Sequence, residues 1–545
     1  MGVVCRWFRR IVGRGYALYV RITIVIAHAI MLKSITRVTP LNNIYSTGPR
    51  LLMDLLGRGR QLHRELVALA VSEGFQLTEE ALRVLEGCDN PVEDLLKTIE
   101  MLKHFEPEAV LIDASHIVSA CKVQPPAETP KVEERPPTEP KHMLLTSIDE
   151  AYRVEGSMAE FQQYFLSRYH SVRRILERRR LNFIPAAEVY ALKDGEEAQL
   201  VGMLQSRQEY GGGVRLELDD PSGTVTVYAS RKNISLYQQA SELLNDVVVG
   251  VRVRRVGNIL SLRDILYPDI EENNQQTYTP INVAVCLISD VHVGSKHFLR
   301  DIFEKFLDWL NRGRDGEVKK VRYLVINGDL VEGVGVYPGQ ERDLVYRNVE
   351  EQLAEAGRLL GEVPERVEVF FIPGNHEPVR KALPQPPLQE RYRVFFSSVS
   401  RINFTSNPVS LVVENRNLLI YHGQGLDEVI QSMPDVSYSN LRTTASKVIT
   451  SLLRFRHLAP VYGGNTQLLP THEDRLVVSE KPYLLHTGHI HVTVNTVYHG
   501  VKVVNTGAWQ DQTDYQKAAG LEPVVGYAAL LDLGNNSVAM KYFGG

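Results

Sequence analysis

Two histidines two residues apart, His489 and His491, follow a short apolar run in LLHTGHIHVTVNT (484–496). In an extended segment residues i and i+2 project to the same side, so both imidazoles can aim at one point, which suits metal ligation. Four further apolar runs deliver comparable groups where a strand would meet a loop. VAVCLISDVHVGS ends with Asp290 and His292, again two apart; YLVINGDLVEG ends with Gly328 and Asp329; VEVFFIPGNHE ends with Gly374, Asn375 and His376; LLIYHGQG ends with His422. These types belong together. Two divalent cations about 3.5–4 Å apart need a shared anionic oxygen between them and a mixture of imidazole and carboxylate or amide ligands. Asp329 is the natural bridging carboxylate, and the adjacent glycines let the backbone turn sharply and ligands approach closely. A lone DxH or GD means little. Five such stretches in order, each at a strand end, point to a dinuclear metal centre.

Ten of the sixteen histidines fall in the last 265 residues, which places the chemistry in the C-terminal half. His297, His457, His472, His486 and His499 lack a flanking glycine turn or sit within an apolar run, and are expected at the surface or as satisfied core groups. Cys286 lies inside the first of the five strands and is expected as small core filler.

The elements that must position these groups give an α+β multidomain fold. Residues 1–52 form an extension, with arginines ahead of an apolar run from Ile22 to Leu32 that resembles a signal peptide. That run is shorter than the about 20 residues a membrane span needs, so no membrane partner is expected. A start assigned too early is the competing reading, with Met31 and Met53 as alternatives. Residues 53–117 carry helical periodicity, with Gly74 as a stop and Asn90-Pro91 opening a second helix, and read as a small helical docking or capping module. Residues 118–145 read as a Pro-rich linker and 146–185 as a helical connector ending in Arg178–Arg180, expected as a solvated helix end. Residues 186–270 carry several short alternating strands, with a turn at Asp219–Gly223, and fit a five-stranded barrel of the oligonucleotide-binding (OB) type. The thin aromatic content there favours protein docking over single-strand binding. Residues 281–545 hold the five ligand-bearing strands.

Composition excludes rather than assigns. The formal net charge of -4 over 545 residues gives no global argument for nucleic acid. Four scattered cysteines (Cys5, Cys88, Cys121, Cys286) show no zinc-type spacing and suggest a reducing, cytoplasmic setting. No GxxxxGK[ST] loop is present, so nothing suggests a nucleotide-driven motor.

The set D-x-H, GD, GNH[DE], H, GHxH resembles the calcineurin-like metallophosphoesterase superfamily, a β-sandwich flanked by helices. GDLVEGVGVYPGQE, IPGNHEPVRKALPQPPLQE and RFRHLAPVYGGNTQLLPTHEDRLVVSEKPYLLHTGHIHV resemble more specifically the small subunits of archaeal DNA polymerase D, and the upstream order of helical module, linker and barrel is similar too. The resemblance implies one cation held by Asp290, His292, Asp329 and His491, and a second held by Asp329, Asn375, His422 and His489. Manganese is the expected ion and magnesium the alternative. It implies that His376, not itself a ligand, faces the scissile phosphate and stabilises or protonates the leaving oxygen. It further implies a 3′-to-5′ exonuclease that removes mispaired nucleotides from a primer 3′ end, working with a large polymerising subunit and with a sliding clamp as a further partner. One departure is visible: Glu332 stands where break-repair nucleases of the superfamily carry a histidine after GD. From the metal site alone a protein phosphatase or small-molecule phosphodiesterase would serve equally, and an inert polymerase scaffold is the non-enzymatic alternative.

Overall fold

The computed structural model describes residues 153–272 and 278–545 throughout, most of 62–105, and short stretches at 111–112, 117 and 142–146. The extension 1–52 with its apolar run and Met31, the alternative start Met53, and most of the Pro-rich stretch lie outside the described residues. Two compact units divide the chain near residue 131.

In the first unit, helices Glu79–Glu86 and Pro91–Phe105 and a parallel strand pair, Gln76–Leu77 with Leu111–Ile112, enclose Leu66, Leu85, Leu95, Ile99 and Leu102. Pro91 opens its helix where a missing N–H costs nothing, and Gly74 takes a left-handed φ of 91° at the preceding helix stop.

The second unit begins with strand β1 (His142–Thr146) and helix α1 (Met158–Glu177), which a Ser157/Glu160 capping box starts. A closed barrel follows: β2 (Glu197–Tyr210), β3 (Gly213–Asp220), β4 (Gly223–Ser230), helix α2 (Ile234–Ser241), β5 (Val248–Val256) and β6 (Ile259–Leu266), in the order β2-β3-β4-β6-β5. Alternation along β3 and β4 turns Val214, Leu216, Leu218, Val225 and Val227 inward.

The remaining chain builds two six-stranded sheets. The first contains β7 (Ala284–Ile288), β8 (Val321–Asn327), β9 (Glu368–Ile372) and β10 (Ile402–Phe404), all parallel, with β16 (Tyr527–Asp532) and β17 (Ser537–Tyr542) antiparallel at the far edge. The second contains β11 (Val409–Val413), β12 (Arg416–Ile420), β13 (Leu484–Thr487), β14 (Thr493–Tyr498) and β15 (Val501–Thr506), and β1 pairs antiparallel with β11 at its edge. The sheets share a core of Val285, Leu287, Val325, Phe370 and Ile372 against Leu411, Leu418, Ile420, Leu484 and Val504. The outer face of the first sheet packs on helices α3 (Arg300–Arg312) and α4 (Val349–Leu360). Between β12 and β13 lie α5 (Leu426–Ser432) and α6 (Leu441–Arg454), whose apolar faces merge with the barrel core. β7, β8 and β9 are buried almost throughout, which is why they read as nearly unbroken apolar runs, whereas β11 and β12 alternate between buried and half-buried residues.

Two local expectations need adjusting. The stretch read as linker to residue 145 closes in β1, and Arg179 at the end of α1 donates to the carbonyls of Tyr267 and Asp269 rather than standing solvated. Within the unit α1 is anchored by Arg168, buried and bonded to Asp474 (Nε–Oδ2 2.7 Å) and the Pro460 carbonyl (2.7 Å). Among the described residues no helix is long and apolar enough to cross a membrane.

Candidate metal centre

β7, β8 and β9 run parallel and so do β12 and β13, so their carboxyl ends open on one rim of the double sheet. Asp290 and His292 follow β7, Asp329 follows β8, Asn375 and His376 follow β9, His422 follows β12, and His489 and His491 follow β13. The structure brings all eight expected residues together. Ligand-type atoms of Asp290, His292 and His491 lie within 4.8 Å of one another, as do those of Asp329, His422 and His489, and those of His292, Asp329 and His376. Asp329 belongs to two of these groups. His422 Nε2 stands 3.1 Å from Asp329 Oδ2 and 3.1 Å from Asn375 Oδ1.

The backbone turns that aim these groups are unusual. Asp290, His292, Asp329, His489 and His491 all adopt left-handed φ between 51° and 70°. Glycine is needed for closeness beside them. A Cβ on Gly374 would lie 2.3 Å from Asp329 Oδ1 and 2.7 Å from His422 Nε2, and one on Gly328 would lie 2.2 Å from His422 Nδ1.

The donor set fits divalent cations. His292 Nε2 and His491 Nε2 face each other at 3.1 Å, with Asp290 Oδ1 3.4 Å from the latter. Behind them His292 Nδ1 stands 2.9 Å from Glu332 Oε2, and His491 Nδ1 accepts from Gln516 Nε2 at 2.9 Å, the Gln516 oxygen being taken by the Thr513 amide. His422 Nδ1 donates to the Asn327 carbonyl at 2.9 Å, so Nε2 is the nitrogen turned to the centre. His489 Nε2 meets Asp427 Oδ2 at 3.0 Å, which leaves Nδ1 as the nitrogen that can face the cluster. Two buried imidazole nitrogens pointed at one spot beside buried carboxylates satisfy a cation far better than they satisfy each other.

Charge within the site is tightly balanced. Burial opposes the charged form of His292, but Glu332, Asp329 and Asp290 outweigh it and push the imidazole up to about 9. Burial likewise opposes His422, and Asp329 and Asp290 push it up to about 10. Against their own burial, Asp329 is held well below the usual carboxylate range by His376 and His422, and Glu332 down to about 2 by His292. His376 is different: burial lowers it despite Asp329, and its Nδ1 lies 2.6 Å from the Glu332 carbonyl.

Sequence reasoning missed several supports. Glu332, noted only as a departure, orients His292. Asp427, five residues after His422 at the start of α5, does the same for His489 and accepts from the Tyr438 hydroxyl at 2.7 Å. Glu377, the acidic position of GNH[DE], accepts the amides of Asp329, Leu330, Val331 and Gly374 and so fixes the loop bearing the shared carboxylate. GNHE itself carried that signal; Gln516 left none. His297 and His499 are half-buried. His457 is buried against Asp474, and His486 is buried with both ring nitrogens unpartnered and its pKa pushed down by burial to about 3. Cys286 is a buried free thiol in β7.

The family model for the B-subunits of DNA polymerases alpha and epsilon matches residues 285–493, which spans every residue of the cluster. A protein of Methanothermobacter thermautotrophicus named DNA polymerase II small subunit is 31% identical over 485 residues, covering 86% of this chain and 98% of that one. The protein of the same name from Archaeoglobus fulgidus is 36% identical over 432 residues, covering 77% and 86%. Among solved structures, a phosphoesterase from E. coli, Yfce, aligns over 48% of this chain and 100% of its own at 15% identity, with a TM-score of 0.25, a likeness too slight to carry argument.

Proposed function

The chain belongs to the family of archaeal DNA polymerase II small subunits, and we propose that it is a metal-dependent 3′-to-5′ exonuclease that trims primer ends for a large polymerising subunit. The observation that carries this reading is the convergence of seven ligand-type side chains and His376 on one rim, with Asp329 common to two groups. Asp290, His292, Asp329 and His491 would hold one divalent cation, and Asp329, Asn375, His422 and His489 the other. Manganese is the first candidate. Bound cations would supply Lewis acidity that activates water and offsets charge on the phosphodiester.

The chain's own residues do the rest. Glu332 and Asp427 fix the imidazoles of His292 and His489, and Glu377 fixes the Asp329 loop. His376 donates Nδ1–H to the Glu332 carbonyl, which leaves Nε2 for the substrate. Burial keeps this ring neutral in the free protein. An incoming anionic phosphodiester favours its charged form, so Nε2 gains a proton that can pass to the leaving 3′ oxygen.

The test is degradation of an end-labelled primer with a mispaired 3′ nucleotide, by the full chain with manganese, magnesium or chelator, alone and with the large subunit. The expected result is metal-dependent loss of nucleotides from the 3′ end, abolished by Asp329→Ala. A flat result in every metal with the partner present would replace the nuclease with a scaffold.

A further inference from the structure

The nuclease reading leaves open how a strand end is selected without reading its sequence. Beside the ligand pair His292 and His491 two tyrosines stack, Tyr337 and Tyr515, with ring centroids 5.1 Å apart and planes 29° apart. Each is tied to one of those ligands. The Tyr337 hydroxyl donates to Glu332 Oε1 at 2.9 Å, and the other oxygen of that carboxylate meets His292. Tyr515 is the second residue of helix α7 (Asp514–Ala519), and the next, Gln516, places its amide nitrogen 2.9 Å from His491 Nδ1. A Thr513/Gln516 capping box fixes this start, so Tyr515 is held by a rigid turn. Thr513 and Gln516 are buried, yet Tyr515 between them is 56% exposed. A ring backed on one side by a pinned partner, and open otherwise, is a preorganised stacking platform.

We propose that Tyr515, backed by Tyr337, receives an unpaired nucleobase of the strand being cut, and so sets the preference for frayed ends. The proposal rests on the nuclease reading and deepens it. Stacking on an aromatic ring tolerates every base, because all four present a π face. A paired terminal base already has its edge engaged, whereas a mispaired one swings free at little cost. The platform therefore favours mismatches of any identity while the phosphodiester sits at the cations.

The test is binding of a single-stranded oligodeoxynucleotide ending in 2-aminopurine to the full chain in EDTA, so that no bond is cut, with quenching of the fluorophore reporting the stack. The wild type should quench, Tyr515→Phe should behave like it, and Tyr515→Leu and Tyr515→Ala should bind about tenfold more weakly with quenching lost, within the range of one base–aromatic stack. In manganese, the same two variants should lose more activity on a base-bearing 3′ end than on an abasic one, by about the same factor. Quenching and affinity unchanged in Tyr515→Ala, or equal losses on abasic and base-bearing ends, would overturn the platform. Absence of cleavage by the wild type with intact, Tyr515-dependent quenching would overturn the nuclease reading and leave the platform standing.

Discussion

Replacing Glu332 by Gln should weaken one cation site and leave the other. Three donors converge on this buried carboxylate, Gln510 Nε2 (2.7 Å), the Tyr337 hydroxyl (2.9 Å) and Gln340 Nε2 (3.1 Å), and His292 Nδ1 stands 2.9 Å from its Oε2 as an ion-pair contact. A carboxylate accepts all three and faces a charged imidazole, whereas an amide turns half its perimeter into N–H and meets donors with donors. If the new N–H faces His292, the imidazole must carry its proton on Nε2, the nitrogen aimed at the cluster, and can no longer ligate there. Loss of such a supporting carboxylate lowers metal affinity by about 10- to 100-fold, roughly 1.4–2.7 kcal/mol. The pH dependence is a sharper signature. Because Glu332 helps push His292 up to about 9, a cation binding below that pH must displace a proton, and apparent affinity rises with pH until it levels near 9. The variant, left with Asp329 and Asp290, has less of that competition and levels earlier. The wild-type advantage is therefore widest near pH 9 and narrows on acidification. Anaerobic calorimetric titration with manganese at pH 7, 8 and 9 measures it. Equal affinities at pH 9, or a deficit that grows toward pH 7, would refute the assignment of Glu332 as the group that sets the His292 tautomer.

Two other substitutions probe the chemistry and the frame. His376→Ala should retain the metal content of the wild type by elemental analysis while its rate of primer degradation falls about 10²- to 10⁴-fold; loss of a cation would instead make His376 a ligand with His292 and Asp329. Arg168→Met strands Asp474 in the interior and should destabilise the second unit by about 3–5 kcal/mol in chemical denaturation, and Asp474→Asn added to it should cost less than a further equal amount. Burial raises the Asp474 carboxyl, but His457 and Arg168 hold it below its ordinary 3.8. Its stabilisation is thus complete above that value and lost as pH falls through the lower folded-state value, so Arg168→Met should flatten the acid limb of stability against pH.

What could be read from the sequence follows from burial. A parallel strand covered on both faces is an uninterrupted apolar run, and a ligand one or two residues beyond it is visible as a break in that run. The runs ahead of Asp290, Asp329 and Asn375 follow this most closely, whereas β12 ahead of His422 alternates and β13 is only four residues long; in the barrel, alternation along β3 and β4 announces one buried face instead. Supports that act across space leave no such trace. Glu332 meets His292 from an irregular loop, Asp427 meets His489 from a helix start, and Gln516 reaches His491 from the first turn of α7, each contact being made by tertiary packing alone. The same holds for β1. Its partner β11 lies more than two hundred residues downstream, and its Met143 and Leu144 are exposed, so HMLLT offers no alternation to separate it from the linker before it. The role of Arg179 was hidden for the same reason: a basic helix end looks solvated until the Tyr267 and Asp269 carbonyls are brought beside it.

The backbone at the rim bears on the choice between a metal-holding site and a bare scaffold. Five left-handed residues that are not glycine cost about 1–2 kcal/mol each, so the strain approaches the whole margin by which a domain is folded. Part of it is offset locally, because the ligands hold one another's backbones. The Asp290 carboxylate accepts the His489 amide (3.0 Å), the Asp329 carboxylate accepts the His376 amide (2.9 Å), and the Glu377 carboxylate gathers the turn after β8. That arrangement also sets Asp290 and Asp329 to repel each other in a buried space, with burial pressing on both. A scaffold needs only the two sheets and their core, and nothing in those layers requires either the left-handed turns or the facing carboxylates. Bound cations would add to the charge that His292 and His422 already set against the two carboxylates, and would give the strained turns a ligand to hold. A metal site would therefore give the strain a use that docking alone does not.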